Sequence, residues 1–151
     1  MKNKILKTTL IIVAIATAIF FLYCNNTSLI NLKTQNFYND LKVSLKQKGY
    51  STSLIVISTK RVKWHNDLQV KLSGAAKESK HLAGDAMDFM VLDINYDGKR
   101  DSKDVDIVYE ILDKEIIKDN GGIGTYKGET FFIDRQMIHI DCRDSKARWA
   151  R

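Results

Sequence analysis

The chain of 151 residues contains no proline, so its turns must be made by Gly, Asn and Asp. It has only two cysteines, Cys24 and Cys142. Two are too few for a fold built on disulfides, and they do not mark a redox compartment. Internal repeats and low-complexity tracts are absent. A strong charge of one sign is lacking too. The net charge is +6, and Lys2, Lys4 and Lys7 supply three of those charges at the N-terminal end. The remaining surplus is too mild to indicate nucleic acid. It suits an anionic polymer, or simply solubility. What is present suffices for a globular domain with a real core: 44% of residues are hydrophobic and 28% charged.

Residues 1–24 read as a unit of their own. Lys2, Lys4 and Lys7 precede an uncharged apolar run from Thr8 to Cys24. A positive segment followed by a hydrophobic one is the pattern of a signal or anchor. The run is about 17 residues, at the lower limit for crossing a bilayer. No small-x-small cleavage site precedes Asn25, and Tyr23 is bulky where a lipobox needs a small residue. The expectation is an uncleaved N-terminal transmembrane helix. It would place a single-pass protein in the cytoplasmic membrane, with the domain on the extracytoplasmic side of the cell envelope. A cleaved signal peptide, giving a secreted or periplasmic domain, is the alternative. Residues 25–33 are a polar linker, and 34–151 are the folded domain.

Periodicity predicts an α+β domain, with a small, mostly antiparallel central sheet and flanking helices. Helices are expected over 34–47, 62–72 and 105–117. Strands are expected over 53–58, which reads as buried, and over 86–92 and 123–126. Thr130–Ile133 and Met137–Asp141 read as two arms of a hairpin, and Gly121-Gly122 with Gly124 as a tight turn.

The most informative stretch is Ser79–Asp88, S-x-H-x-x-G-x-A-x-D. It sets His81 and Asp88 seven residues apart among small residues. Downstream, Met137-Ile138-His139-Ile140-Asp141 carries a second His in an apolar strand. Alternation puts His139 and Asp141 on one face and Ile138 and Ile140 on the other. A lone His is more often a satisfied core residue. Two His and one Asp make the three-ligand set of a catalytic zinc, with a fourth position for water.

These motifs resemble the zinc D-Ala-D-Ala metallopeptidases. That group includes cell-wall carboxypeptidases, cross-link endopeptidases and phage endolysins, with the hedgehog signalling domain as a distant relative. The likeness covers about Ser53–Arg151. It rests on the first motif, on H-x-D-x-R at His139, Asp141 and Arg143, and on Ala147-Arg148-Trp149, which resembles the A-R-W ending of one bacterial branch. The resemblance implies that His81, Asp88 and His139 bind Zn2+ and that the substrate is a peptide bond of peptidoglycan, in the stem or cross-link. Many relatives carry Gly-Tyr-Arg after the first core strand. Here Thr59-Lys60-Arg61 keeps only the Arg, which makes Arg61 a candidate to stabilise the oxyanion, or else a solvated surface residue. Several relatives place a Glu or Asp base three residues before the second His. Here that residue is Gln136, a neutral amide that takes no proton. Asp141 is the best substitute as general base, with Asp134 and Glu129 as further candidates.

A second ion site is expected at Asp93–Asp104, D-x-N-x-D-G-x-x-D-x-x-D. Asp93, Asn95, Asp97, Asp101 and Asp104 occupy ligand positions of a calcium loop, Lys99 sits where a backbone carbonyl is used, and Gly98 stands at the turn. The stretch resembles a dockerin or EF-hand loop, with Asp for Glu at the last position and Arg100 where an apolar residue is usual. Its competitor is an acidic turn that caps the following helix at Asp101 or Ser102. A bound Ca2+ would be structural. Together these features indicate a membrane-anchored zinc peptidase acting on peptidoglycan peptides. The alternative is a non-catalytic wall-binding or scaffold module that keeps a structural metal.

Overall fold

Strand alternation splits this protein into a core side and a site side. In β2 (Ala86–Val91), Met87, Phe89 and Val91 are fully buried, as are Ile138 and Ile140 in β6 (Met137–Asp141). The two strands are antiparallel, with Met87 opposite Ile140, Phe89 opposite Ile138 and Asp88 opposite His139. Apolar residues therefore share one face, and Asp88 and His139 share the other.

The computed structural model describes residues 2–24, 29–74, 76–130, 133–134 and 136–151. Their architecture is α+β, built on a five-stranded mixed sheet of order β1-β2-β6-β3-β7. Here β1 is Leu54–Ser58, β3 is Gly122–Tyr126 and β7 is Ala147–Ala150. All neighbours are antiparallel except β3 and β7. Helices α2 (Leu32–Gln47) and α5 (Ser102–Ile111) cover the core side. Leu41 and Leu45 of α2 and Val105, Val108 and Ile111 of α5 join the β2 and β6 side chains in one cluster. Each such buried aliphatic contributes about 1.5–3 kcal/mol. Tyr38 meets Phe89 edge-on, with ring centres 5.3 Å apart. Between β1 and β2 lie α3 (Lys63–Ser73) and the single turn α4 (Lys80–Ala83).

The expected N-terminal transmembrane helix is corrected: among the described residues, no helix is long and apolar enough to cross a membrane. A helix does form, α1 (Lys2–Cys24), but it takes the lysines into its own first turns. The uncharged stretch from Thr8 onward rises about 26 Å at 1.5 Å per residue, short of a bilayer core of about 30 Å.

Other local expectations shift as well. The strand at 54–58 is an edge rather than a buried strand, and Ile55 on it is 42% exposed. Residues 131 and 132 of the expected arm Thr130–Ile133 lie outside the described residues, and its described ends do not pair with β6. Instead β4 (Glu129–Thr130) and β5 (Ile133–Asp134) form a separate two-stranded ribbon, and β6 lies between β2 and β3. The helix expected to reach 117 ends as α5 at Ile111 and widens into a π-helical turn, Leu112–Ile116. Packing also begins before residue 34. Ile30 is buried, and Asn31 caps α2 by accepting from the Lys33 N–H at 2.9 Å.

Candidate metal centre

The S-x-H-x-x-G motif folds as cap, ligand and stop. Ser79 Oγ accepts from the His81 N–H at the start of α4. Gly84 ends the turn with φ +83, and a Cβ there would lie 2.7 Å from the Leu29 carbonyl oxygen. Both the left-handed backbone and the close approach demand glycine. The Asp85 carbonyl then accepts from Thr34 Oγ1 (2.8 Å) and the Cys142 N–H (3.1 Å), which fixes the turn against α2 and the end of β6. The loop before α4 is anchored by Asn66, fully buried on α3, whose amide donates to the carbonyls of Ala76 and Lys77.

Held this way, His81 meets Asp88 and His139 on the site face. His81 Nε2 lies 3.1 Å from Asp88 Oδ2 and 3.3 Å from His139 Nδ1, and His139 Nδ1 lies 2.7 Å from Asp88 Oδ1. A tetrahedral site with ligand bonds of about 2.0–2.1 Å has ligand–ligand edges of roughly 3.3 Å. The separation of the two imidazole nitrogens matches this edge, and each lies within it of one Asp88 oxygen, Oδ2 for His81 and Oδ1 for His139. Among the described residues, this buried trio brings three His and acidic ligand atoms close enough together to hold a metal ion. Two imidazoles and a carboxylate suit a transition metal rather than Ca2+ or Mg2+, which take oxygen ligands.

The far nitrogens are committed, which fixes which nitrogen of each ring points inward. His81 Nδ1 is 2.6 Å from the Thr59 carbonyl oxygen and so carries the proton, leaving the Nε2 lone pair for a metal. His139 Nε2 is 3.3 Å from Asp141 Oδ2. Arg143 grips Asp141 through Nε (2.7 Å), Nη2 (2.6 Å) and its backbone N–H (3.2 Å). Arg61 is no solvated surface residue. Its Nη2 donates to Asp88 Oδ2 at 2.5 Å, its Nε to Ser58 Oγ at 3.0 Å, and its backbone N–H to the His81 carbonyl at 2.8 Å.

No family model, curated protein or solved structure matches the chain. Burial and mutual charge perturb all three members of the trio. Burial alone would raise the Asp88 pKa, but the charge of His81 and hydrogen bonds from both imidazoles hold it well below the usual carboxylate range. Burial lowers His81, against the pull of Asp88. Burial would also lower His139, but its hydrogen bonds to Asp141 and Asp88 raise it. Asp141 is likewise held low despite burial, by His139 and Arg143.

The remaining sequence-named residues fall elsewhere. Gln136 is buried, continues the β6 ladder by accepting from the Val91 N–H, and its side-chain oxygen finds no partner among the described residues. The side chains of Glu129 and Asp134 lie outside the described residues. The Asp93–Asp104 loop turns most of its oxygens to backbone. Asp93 accepts from Gly98, Asn95 from Asp97, Asp97 from Lys99, and Asp101 from Lys103 as the cap of α5. Asp104, fully buried, accepts from Ile94 and Asp101, completing a capping box. Asp93 Oδ1 is enclosed without a hydrogen-bond partner among the described residues.

Three features escape sequence reasoning. Gly122 and Gly124 are not turn residues: they sit within β3 on the site face, opposite Asp141 and His139. A Cβ at Gly122 would overlap the Asp141 carboxylate, and one at Gly124 would overlap the Trp149 indole. The G-x-G spacing was the available signal, because period two places both on one strand face. His65 on α3 lies close enough to feel Arg61 and His81, which with burial lower its pKa below the ordinary value. Arg148 serves the fold, bonding Asp113 at 2.7 Å and the Gly121 carbonyl at 2.7 Å.

Proposed function

We propose that this protein is a zinc-dependent peptidase that hydrolyses a peptide bond in bacterial peptidoglycan. The observation that carries the reading is the convergence of His81, Asp88 and His139 on the site face of the sheet, with Arg61 beside them. The substrate class comes from the motif resemblance, and it places the domain outside the cytoplasmic membrane, in the cell envelope or beyond.

In this reading His81 Nε2, Asp88 and His139 Nδ1 hold the zinc, which when bound supplies Lewis acidity at the scissile carbonyl and an acidified water. Arg61 neutralises charge that develops on the carbonyl oxygen. Sequence alone makes Asp141 the first candidate to accept the water proton. Its full burial and the bidentate grip of Arg143 suit it instead to orienting His139. The group proposed to accept the proton is His65, partly exposed on α3, with its pKa lowered from the ordinary imidazole value by burial, Arg61 and His81.

The test is digestion of purified peptidoglycan by the zinc-loaded full chain, read as new amino and carboxyl termini by mass spectrometry. Wild type is expected to release them and His139→Ala to release none. A zinc-loaded wild type that releases none would refute the reading and leave a wall-binding or scaffold module.

The Asp93–Asp104 loop is proposed to take one Ca2+ as a structural ion. The support is the enclosed, unpartnered Asp93 Oδ1 in a loop whose Asp, Asn and Gly spacing fits calcium. Such an ion would steady the segment between the Asp88 strand and α5.

A further inference from the structure

β3 carries no side chain over the site face at two alternate positions, and the strands beside it fill the gap. Over Gly122 lies the Asp141 carboxylate, and over Gly124 lies the indole of Trp149 from β7. The indole centre is 5.2 Å from the His139 ring, tilted by 51°. The Arg143 guanidinium sits 5.5 Å from the indole on its way to Asp141. Trp149 Nε1 lies 3.5 Å from the Tyr126 hydroxyl, at the limit of a hydrogen bond. His139 is 8% exposed and Asp141 is closed off, whereas Trp149 remains partly open to solvent. The indole packs against His139, and Trp149 also borders a pocket at the β7 edge with Asp106, Tyr109, Thr125, Lys127, Arg148 and Ala150.

Resting on the peptidase reading, we propose that Trp149 is a substrate-contacting residue. Its indole borders the trio on the β7 side and holds the aliphatic part of the peptide beside the reacting carbonyl. The spacing supports this. A metal held by His139 sits about 2 Å from the ring nitrogen, and an extended peptide advances about 3.3 Å per residue. A carbonyl placed at the trio therefore has its neighbouring residue within reach of the indole. A flat aromatic face against methyl and methylene groups also tolerates D- and L-residues alike, because it reads area and not handedness.

Tryptophan fluorescence tests this directly. The chain has two tryptophans, and Trp64 is 62% exposed on α3. Trp64→Phe leaves Trp149 as the only tryptophan, read by excitation where tyrosine does not absorb. In the zinc-loaded full chain, a soluble peptidoglycan stem pentapeptide is expected to shift that emission saturably, with a midpoint near KM. Trp149→Ala should raise KM about five- to tenfold, with zinc content and kcat little changed, and Trp149→Phe should recover most of the loss. Unchanged emission while the peptide is being cut would overturn the proposal. So would a Trp149→Ala variant that loses zinc or kcat at constant KM, which would make the indole a support for His139 alone. Absence of both binding and cleavage by zinc-loaded wild type would overturn the peptidase reading itself, and this inference with it.

Discussion

Asp141→Asn isolates what the carboxylate behind His139 contributes. The side chain is fully buried, it accepts two side-chain bonds from Arg143, and it faces His139 Nε2. Asn keeps the shape and removes the charge. A hydrogen bond to a charged group is worth about 1.5–3 kcal/mol. Arg143 is 30% exposed, so water recovers part of that, and a net loss of about 2 kcal/mol follows. For a domain of this size the midpoint of thermal unfolding should drop by roughly 5–8 °C. Loss of the second partner of a metal-binding His should weaken zinc about 10- to 100-fold. The pH dependence has a definite sign. The folded carboxyl is held below its unfolded value of about 4, so its stabilisation is complete above that value and is lost as pH falls through the folded pKa. Wild type and Asp141→Asn should therefore differ fully at pH 7 and converge in acid. Chelator competition for zinc and thermal melts at several pH values measure both effects. Wild-type zinc affinity in the folded variant would refute the orienting role, and a stability gap that widens in acid would refute the electrostatics.

Further outcomes follow from the same geometry. Gly84→Ala combines a left-handed φ with a collision against the Leu29 carbonyl, and should cost about 2 kcal/mol or more together with zinc retention; a wild-type melting curve would contradict this. His65→Gln should lower kcat about 100-fold with one zinc still bound and abolish the acid limb of the rate profile below pH 6.5, whereas an unchanged profile would remove His65 from the chemistry. Calcium at about 100 times its Kd should add about 2.7 kcal/mol of stability, and Asp93→Asn should erase the increment. A melt insensitive to millimolar calcium would leave the loop as an acidic turn.

The three members of the buried trio were legible because their signals are local. His81 and Asp88 are fixed by a short cap-and-stop turn, and His139 by alternation within a single strand. Strand partners were not legible, because pairing β6 with β2 and β3 joins segments up to about fifty residues apart, and nothing within 127–141 reveals it. The same non-locality hid the glycines of β3: alone they read as a turn, and only the neighbouring Asp141 and Trp149 explain them. Asp141 and Arg143 were both readable in the H-x-D-x-R motif, but the bidentate bond between them was not. The N-terminal helix was readable as a helix, but its apolar length stops short of a membrane span.

The division of β2 and β6 into odd and even positions has an evolutionary consequence. The same two strands supply core and chemistry, so a one-residue insertion or deletion within 86–91 or 137–141 would swap Asp88 with Phe89, or His139 with Ile138, sending ligands inward and hydrophobes outward. Such a lineage can vary by substitution there but not by length. Length change is confined to segments outside these ladders. Those are the places where new binding specificity can be added without disturbing the frame.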